Sequence, residues 1–543
     1  MCQQVVAQLR TLMAPRVTAV LLPLLLVVLA GGLAGVASAA RILGVFPFPS
    51  RSHVVIYSTL MRGLAARGHH VTVFSGYPLD PPVANYTDVK LTFDMSALAA
   101  VRKNKSMFSL GEQNAFFSVV ISHFIGPTFA EQAFQHSSIQ DLIATTNEKF
   151  DLVILADFFV DAFAGFAHKF DAPLIYMSPI TGFPWTNDLI GNPSPDSYVP
   201  SIFSQYSDHM SFRERLFNTV INTFGRLFHQ LYYLPKQNSM MRQYFKVVPD
   251  LPHVSEIIIQ RTALVFTYAM PGVSYPQPLL PNLIQIGGIH VKPVKPLPKD
   301  LKKYMDDASE GVIYFSMGSN LRSAEFSEEQ RDAFIKTFSK LKQKILWKFE
   351  EDQLPGQPQN LKISKWFPQN DILAHPNVVL FITHGGILST QEALYHGVPV
   401  IGIPIFGDQA LNMKTLENLD CGLQLKYSDI NDASFERVVK EAITNPKYLK
   451  RAKEVSRIFR DQPQSPLEKG VFWTEYVLRH KGAAHLRSAA THLSWYQYLL
   501  LDVVAVLVLV PAALVYCVLM LCRRLCCATK KIIIKDVKKK KKQ

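Results

Sequence analysis

From Thr383 to Gln409 the chain reads THGGILSTQEALYHGVPVIGIPIFGDQ. His384, Gly385 and Gly386 stand between a short apolar run and a helical stretch that opens near Ser389, and Asp408 and Gln409 follow the next apolar run. Paired glycines let a ligand approach the main chain, and a helix N-terminus offers free N–H groups and partial positive charge. That combination suits phosphate. The spacing is neither G-x-G-x-x-G nor G-x-x-x-x-G-K-[ST], which excludes the usual dinucleotide and P-loop readings. Each residue also has a plainer use. Ser389-Thr390-Gln391-Glu392 fits an S-x-x-E capping box, and Asp408 can N-cap the helix that begins at Gln409. His384 can be a satisfied strand-end histidine and Trp366 a core aromatic. Near the start of the chain, His53 opens a helix, where the dipole disfavours imidazolium and favours a neutral base. Its plain reading is a helix-start histidine with no task. Asp157 closes a strand, and Asp161 lies four residues on.

Alternating elements must hold these residues. Residues 42–46, 70–75, 151–156 and 174–177 are short, mostly apolar runs, the pattern of strands buried on both faces of a parallel sheet. A helix over residues 54–67 joins the first two. A second series has strands at 312–316, 344–349, 378–383 and 398–403, with helices at 328–342, 389–396, 433–444 and 448–460. The spacing predicts an α/β protein with two doubly wound sheets. Pro271, Pro276, Pro278, Pro281, Pro293, Pro296 and Pro298 mark a stiff linker between them, read as a connection rather than an element. In open parallel sheets ligands bind beyond the carboxyl ends of the strands, which is where the 383–409 stretch falls.

The ends of the chain are read separately. Arg10 and Arg16, an apolar run at 17–33 and Ala37-Ser38-Ala39 predict a secretory signal peptide. Residues 503–522 are apolar enough to cross a bilayer, with Trp495, Tyr496 and Tyr498 at the approach. The tail beyond is basic, including Arg523, Arg524 and Lys538 to Lys542, so it is expected on the cytoplasmic side with the body in the lumen. Lys540 and Lys541 resemble a dilysine endoplasmic-reticulum retrieval signal. The tail supplies +9 of the formal net charge of +14, and Arg10 and Arg16 leave with the signal. The body is then nearly neutral, without the clustered basic face that nucleic acid requires. Cys421 is alone in the expected luminal part, which leaves no intrachain disulfide there. Asn85 and Asn104 head glycosylation sequons.

The stretch WFPQNDILAHPNVVLFITHGGILSTQEALYHGVPVIGIPIFGDQ, residues 366–409, resembles the donor-binding motif of the UDP-glycosyltransferases, the UDP-glucuronosyltransferase family. The likeness extends over most of the body. It implies a GT-B fold, two Rossmann-like domains facing a cleft, plus one C-terminal transmembrane helix. It divides the chain into a signal (1–39), an acceptor-binding domain (40–275), a linker (276–300), a UDP-sugar-binding domain (301–493), a transmembrane segment (494–522) and a basic tail (523–543). By the same resemblance, Trp366 stacks on uracil and Gln369 meets the nucleoside. Ser319, His384, Gly386 and Ser389 hold the diphosphate, Glu392 takes the ribose hydroxyls, and Asp408 and Gln409 take the sugar hydroxyls. No D-x-D motif stands near this site, so no metal is expected.

In the family the position of His53 carries the catalytic base, and the pattern fits Asp157 as its partner once one residue is gapped; Asp161 stays open. Phe108, Phe116, Phe117, Phe124, Phe158, Phe159, Phe183 and Trp185 have core packing as their plainer use, but as a composition they suit a lipophilic acceptor better than a sugar polymer or nucleic acid. The expected activity is inverting transfer of glucose or glucuronate from a UDP-sugar to a hydroxyl of a small lipophilic acceptor, as in detoxification. GFAHKFDAPLI resembles arthropod members, which more often use UDP-glucose. The rivals are a catalytically silent UDP-sugar-binding membrane protein and a glycosyltransferase acting on lipid or protein. Self-association is left open.

Overall fold

A computed structural model describes residues 39–96, 106–108 and 114–541. The expected signal peptide, as far as Ser38, and Asn104 of the second sequon lie outside the described residues. The chain forms two compact units, one ending at Arg487 and the other starting at Ser488.

The first unit holds two parallel sheets. In the first, β1 (Arg41–Phe46), β2 (His70–Ser75), β3 (Tyr86–Lys90), β4 (Leu152–Ala156), β5 (Leu174–Met177), β6 (Thr262–Thr267) and β7 (Leu283–Gln285) lie in the order β3-β2-β1-β4-β5-β6-β7. In the second, β8 (Val312–Ser316), β9 (Lys344–Lys348), β10 (Leu361–Ser364), β11 (Val378–Thr383), β12 (Val400–Gly402) and β13 (Gly422–Gln424) lie in the order β10-β9-β8-β11-β12-β13. Both orders reverse direction between the first strand and the fourth, so each sheet has a switch point where a crevice opens past the strand ends. The strands are apolar throughout because both faces are covered. In β8, Ile313 and Phe315 enter one apolar cluster while Val312 and Tyr314 enter another on the opposite face.

Among the helices, α1 (Arg51–Ala66) follows β1, α2 (Ala115–Gln135) precedes β4, and α3 (Phe212–Phe228) lies against α2. Helices α4 (Ile387–His396) and α5 (Gln409–Asn418) follow β11 and β12, and α6 (Pro466–Arg479) closes the unit.

Two features depart from the sequence reading. The proline-rich stretch holds a strand, since β7 pairs with β6 through Val265↔Leu283 and Phe266↔Ile284. The late helix α6 returns to the first sheet: Val471 and Val477 belong to its core, and a Cβ at Gly63 of α1 would come within 2.7 Å of Leu467 Cδ1.

The second unit is dominated by α7 (Leu501–Lys540), which is interrupted in composition by Pro511 and is long and apolar enough over Leu501–Lys535 to cross a membrane. Its cysteines, Cys517, Cys522, Cys526 and Cys527, are free and exposed, whereas Cys421 is free and buried in the first unit.

Candidate active site

The second sheet's switch point lies between β8 and β11, where Ser316 and Thr383 are register partners. Gly318-Ser319 therefore emerges beside His384-Gly385-Gly386. The imidazole of His384 fills the space between the two turns. A Cβ at Gly318 would lie 2.5 Å from its Cε1, and one at Gly386 would overlap its Nε2. Gly318 also has φ +77, a conformation that glycine adopts at least cost. Burial, with Lys348 nearby, lowers the His384 pKa to about 4, so the ring is neutral and can donate one hydrogen bond. Ser319 stands exposed at the same mouth.

Helix α4 begins at Ile387 with Gly386 as its N-cap and no side-chain cap. The S-x-x-E capping box is thus absent, because the helix starts two residues before Ser389. Ser389 and Glu392 serve instead as neighbours of Gln369, whose amide donates to Ser389 Oγ at 3.1 Å and to Glu392 Oε2 at 2.6 Å. Burial raises the Glu392 pKa to about 7. His290 lies 3.7 Å from Glu392 Oε1; its Nε2 donates to Leu388 O at 3.1 Å and its Nδ1 takes the Tyr268 hydroxyl.

Asp408 occupies the N-cap position of α5, again without a side-chain cap. Its Oδ2 accepts from Asn412 Nδ2 at 2.7 Å, and the same amide donates to Gly385 O at 3.0 Å. Gln409 is buried, with Oε1 accepting from Ile405 N at 2.7 Å and Phe406 N at 3.1 Å. It shapes the loop that carries Asp408. Trp366 is 60 % exposed, and the Arg51 guanidinium of the other sheet's α1 lies 5.3 Å from its ring centre.

The first sheet's switch point lies between β1 and β4, whose partners Val45 and Leu155 lead directly to the two loops that follow. His53 sits in the first turn of α1, with Phe158 at 4.5 Å and Phe48 at 5.6 Å between ring centres. Burial lowers its pKa to about 3. Asp157 follows β4 and accepts from Thr186 Oγ1 at 2.8 Å. Burial and the charge of Asp161 raise its pKa to about 7. Among the described residues, the buried His53 Nδ1, Asp157 Oδ2, Ser178 Oγ and Tyr57 hydroxyl have no hydrogen-bond partner. His53 and Asp157 thus stand on the segments that follow the neighbouring strands β1 and β4, with no hydrogen bond between them among the described residues.

A family model described as UDP-glucoronosyl and UDP-glucosyl transferase matches residues 43–541. The chain belongs to the UDP-glycosyltransferase family. UDP-glycosyltransferase UGT5 of Dactylopius coccus is 40% identical over 478 residues, covering 88% of this chain and 90% of its own. The 2-hydroxyacylsphingosine 1-beta-galactosyltransferase of Rattus norvegicus is 34% identical, covering 89% of this chain and 88% of its own. The solved UDP-glucosyltransferase of Polygonum tinctorium superposes with a TM-score of 0.55 at 16% identity, covering 82% of this chain and 99% of its own. The two-sheet architecture is that of a GT-B glycosyltransferase, and the protein is an enzyme of this class.

In this UDP-glycosyltransferase four of the eight aromatics offered for an acceptor take their plainer use in the cores. Phe108 stacks on Tyr427 at 5.0 Å and packs on Phe326 in the second sheet's core. Phe159, Phe183 and Trp185 are buried in the first core. Phe158 stays beside His53, joined by Phe48, Phe93 and Phe129, which the sequence reading did not single out. It also missed His290, Tyr268 and Asn412, whose partners are distant in sequence.

Asp161 is fully engaged elsewhere. Tyr176 and Tyr233 donate to its two oxygens at 2.7 and 2.6 Å. An amide offers only one acceptor oxygen. Asp161→Asn should therefore lower folding stability by about 1–3 kcal/mol while the folded fraction keeps its turnover. Denaturant titration beside active-site-normalised rates checks this, and a loss of turnover in fully folded protein would give Asp161 a part in the chemistry.

Proposed function

We propose that the enzyme transfers a hexose from a UDP-sugar to a hydroxyl of a small lipophilic acceptor, with inversion at the anomeric carbon. The observation that carries this reading is the pair of uncapped helix starts at the second sheet's switch point, with Ser389, Glu392 and Asp408 turned to other partners. Free N–H groups at α4, Ser319 and the neutral His384 suit a diphosphate without calling on a metal. Glu392, positioned by Gln369, suits two vicinal ribose hydroxyls, and Trp366 offers a flat face to uracil. Asp408 and the loop shaped by Gln409 suit the sugar hydroxyls. His53, kept neutral by burial, takes the acceptor proton as the oxygen attacks. Phe48 and Phe158 receive an apolar acceptor, with the buried Phe129 packed behind them. Asp157 steadies the imidazolium that forms.

The α7 span and the basic tail beyond it support an endoplasmic-reticulum membrane enzyme with a luminal body. Protease added to sealed microsomes should then remove the tail alone; digestion of the body would reverse the orientation. Turnover by purified membranes decides the function itself, using UDP-glucose, UDP-glucuronate and UDP-galactose with phenols, lipophilic alcohols and a ceramide. The ceramide arm is included because one relative bears the name of a sphingosine galactosyltransferase. Transfer from at least one donor to a phenol or alcohol is expected. UDP binding with no transfer to any acceptor would leave a silent binder, and transfer to ceramide alone would move the acceptor to lipid.

Trp366→Ala should weaken UDP affinity by about 1–3 kcal/mol, the range for stacking of a base on an aromatic ring. The free energy includes moving Arg51 off the ring face. Calorimetry with unchanged affinity in a folded variant would take Trp366 out of the site.

A further inference from the structure

Helix α3 and the π-helical turn that continues it (His229–Tyr233) leave a row of large apolar side chains in water. Phe212, Leu216, Val220, Leu227 and Leu231 are each between 46 and 73 % exposed. Their spacing, close to multiples of 3.6, holds them on one face along the length of the element. The opposite face carries Asn218, Ile221, Asn222 and Gly225, which are buried. The buried side is anchored by two asparagines, Asn218 donating to Asp196 O and Val199 O and Asn222 to Asp196 Oδ1, whereas the outer side is an apolar strip in water; an exposed apolar strip of this length marks an interaction surface. Helix α2 widens it: Phe116 packs on Phe217 and Phe224, and the half-exposed Phe124 packs on Phe228 and Tyr232.

The charge pattern narrows the occupant. Residues 213–249 contain Arg213, Arg215, Arg226, Lys236, Arg242 and Lys246 against one acid, Glu214, whose carboxylate accepts from Ser211 N at 2.7 Å. Arg226 is paired with Asp188 and Asp196. Arg213, Arg215 and Lys236 are exposed, and the Lys236 ammonium lies over Phe124 and Tyr232 at 5.8 and 5.9 Å. Apolar residues on one side with Arg and Lys at their border are the makeup of a helix lying in a membrane interface. A second copy fits less well. A two-fold contact would set the ridge against itself, bringing the same cations together with a single acid per copy, Glu214, already held by Ser211 N.

We propose that this ridge is seated in the surface of a phospholipid bilayer, with Arg213, Arg215 and Lys236 at the level of the phosphates. The chain supplies the tether itself. Residues 488–500 connect the body to α7, so weak interfacial binding by the ridge is intramolecular in effect and needs little affinity of its own. Helix α2 links the ridge to the aromatic wall of the first sheet: Phe124 lies on the ridge, and Phe129, buried on another face of the same helix, packs edge-on against Phe48 beside His53. Resting on the proposed function for this step alone, an acceptor dissolved in the bilayer reaches the base along that wall.

The test uses the full chain in nanodiscs of phosphatidylcholine with phosphatidylserine. Leu227→Trp and Leu231→Trp place a reporter on the ridge at exposed positions, and Glu329→Trp places one on an exposed helix of the second sheet. Lipids brominated on the acyl chain should quench the two ridge reporters, over the background of the unsubstituted chain, and leave the Glu329 reporter unchanged. Absence of quenching at both ridge positions overturns the proposal. So does shielding of the reporters that appears only when two copies share a disc, which would assign the face to a second copy. A triple variant, Leu216→Gln with Leu227→Gln and Leu231→Gln, should lose quenching of the native tryptophans nearest the ridge and raise KM severalfold for a bilayer-soluble acceptor. KM for a water-soluble acceptor and UDP affinity should stay unchanged. An equal rise in both KM values would break the link between the ridge and acceptor entry while leaving the quenching result to decide the docking.

Discussion

His53→Ala is expected to lower transfer by about 10²–10⁴, the usual contribution of a general base, while UDP affinity stays as it was. The separation follows from architecture: His53 stands at the β1/β4 switch point of one sheet, and the proposed donor side chains stand past the ends of β8, β11 and β12 of the other. Burial lowers the His53 pKa to about 3, so the imidazole remains neutral and able to accept a proton at any pH where the enzyme is folded. An acid limb near pH 6.5 assignable to this residue would contradict that. Asp157→Asn should cost less, because Asp157 has no direct bond to His53 before the imidazolium forms and acts by orienting and stabilising it. Residues that act as one unit lose function non-additively, so the double variant should be hardly slower than His53→Ala. Rates that fall by the product of the two single losses would show that they act independently.

The largest effect on folding is expected from Gln391→Leu. Gln391 is fully buried in α4, and its two polar ends leave the second sheet altogether. Its amide donates to Tyr268 O at 2.7 Å, and its Oε1 accepts from Gly288 N at 2.6 Å. Both partners belong to the segments that follow β6 and β7 of the first sheet. Leucine keeps the volume but strands a buried carbonyl and a buried N–H, each at about 1–3 kcal/mol, so a total of roughly 2–5 kcal/mol is expected. Denaturant unfolding of the full chain, followed by protease susceptibility, measures it. A loss below about 1 kcal/mol would mean that both groups find water or new partners. Because Glu392 is the next residue, UDP affinity should fall as well, by tilting α4 against Gln369.

Part of this enzyme is written locally in its chain. Buried parallel strands must be apolar on both faces, so the runs that became β1, β4, β5, β8 and β11 stand out without knowledge of their neighbours. The donor-side candidates from His384 to Gln409 are also legible, because one βαβ unit brings them to one sheet edge by chain connectivity alone. Other features were decided only by tertiary packing. The Ser389 to Glu392 spacing fits a capping box equally well, and only the start of α4 at Ile387 removes that use. Asp157 and Asp161 are indistinguishable by type and position until Tyr233, far along the chain, donates to one of them. Phe108 has the composition of an acceptor wall but packs against Tyr427. The amphipathic pattern of α6 states that one face is buried without stating against which sheet, and β7 is too short and too near prolines to show a period. Periodicity reports which face of an element leaves water. Which partner covers that face, and which buried carboxylate is left with an unfilled oxygen, depends on contacts between residues far apart in sequence, where shape and hydrogen-bond satisfaction choose among surfaces that are equally apolar.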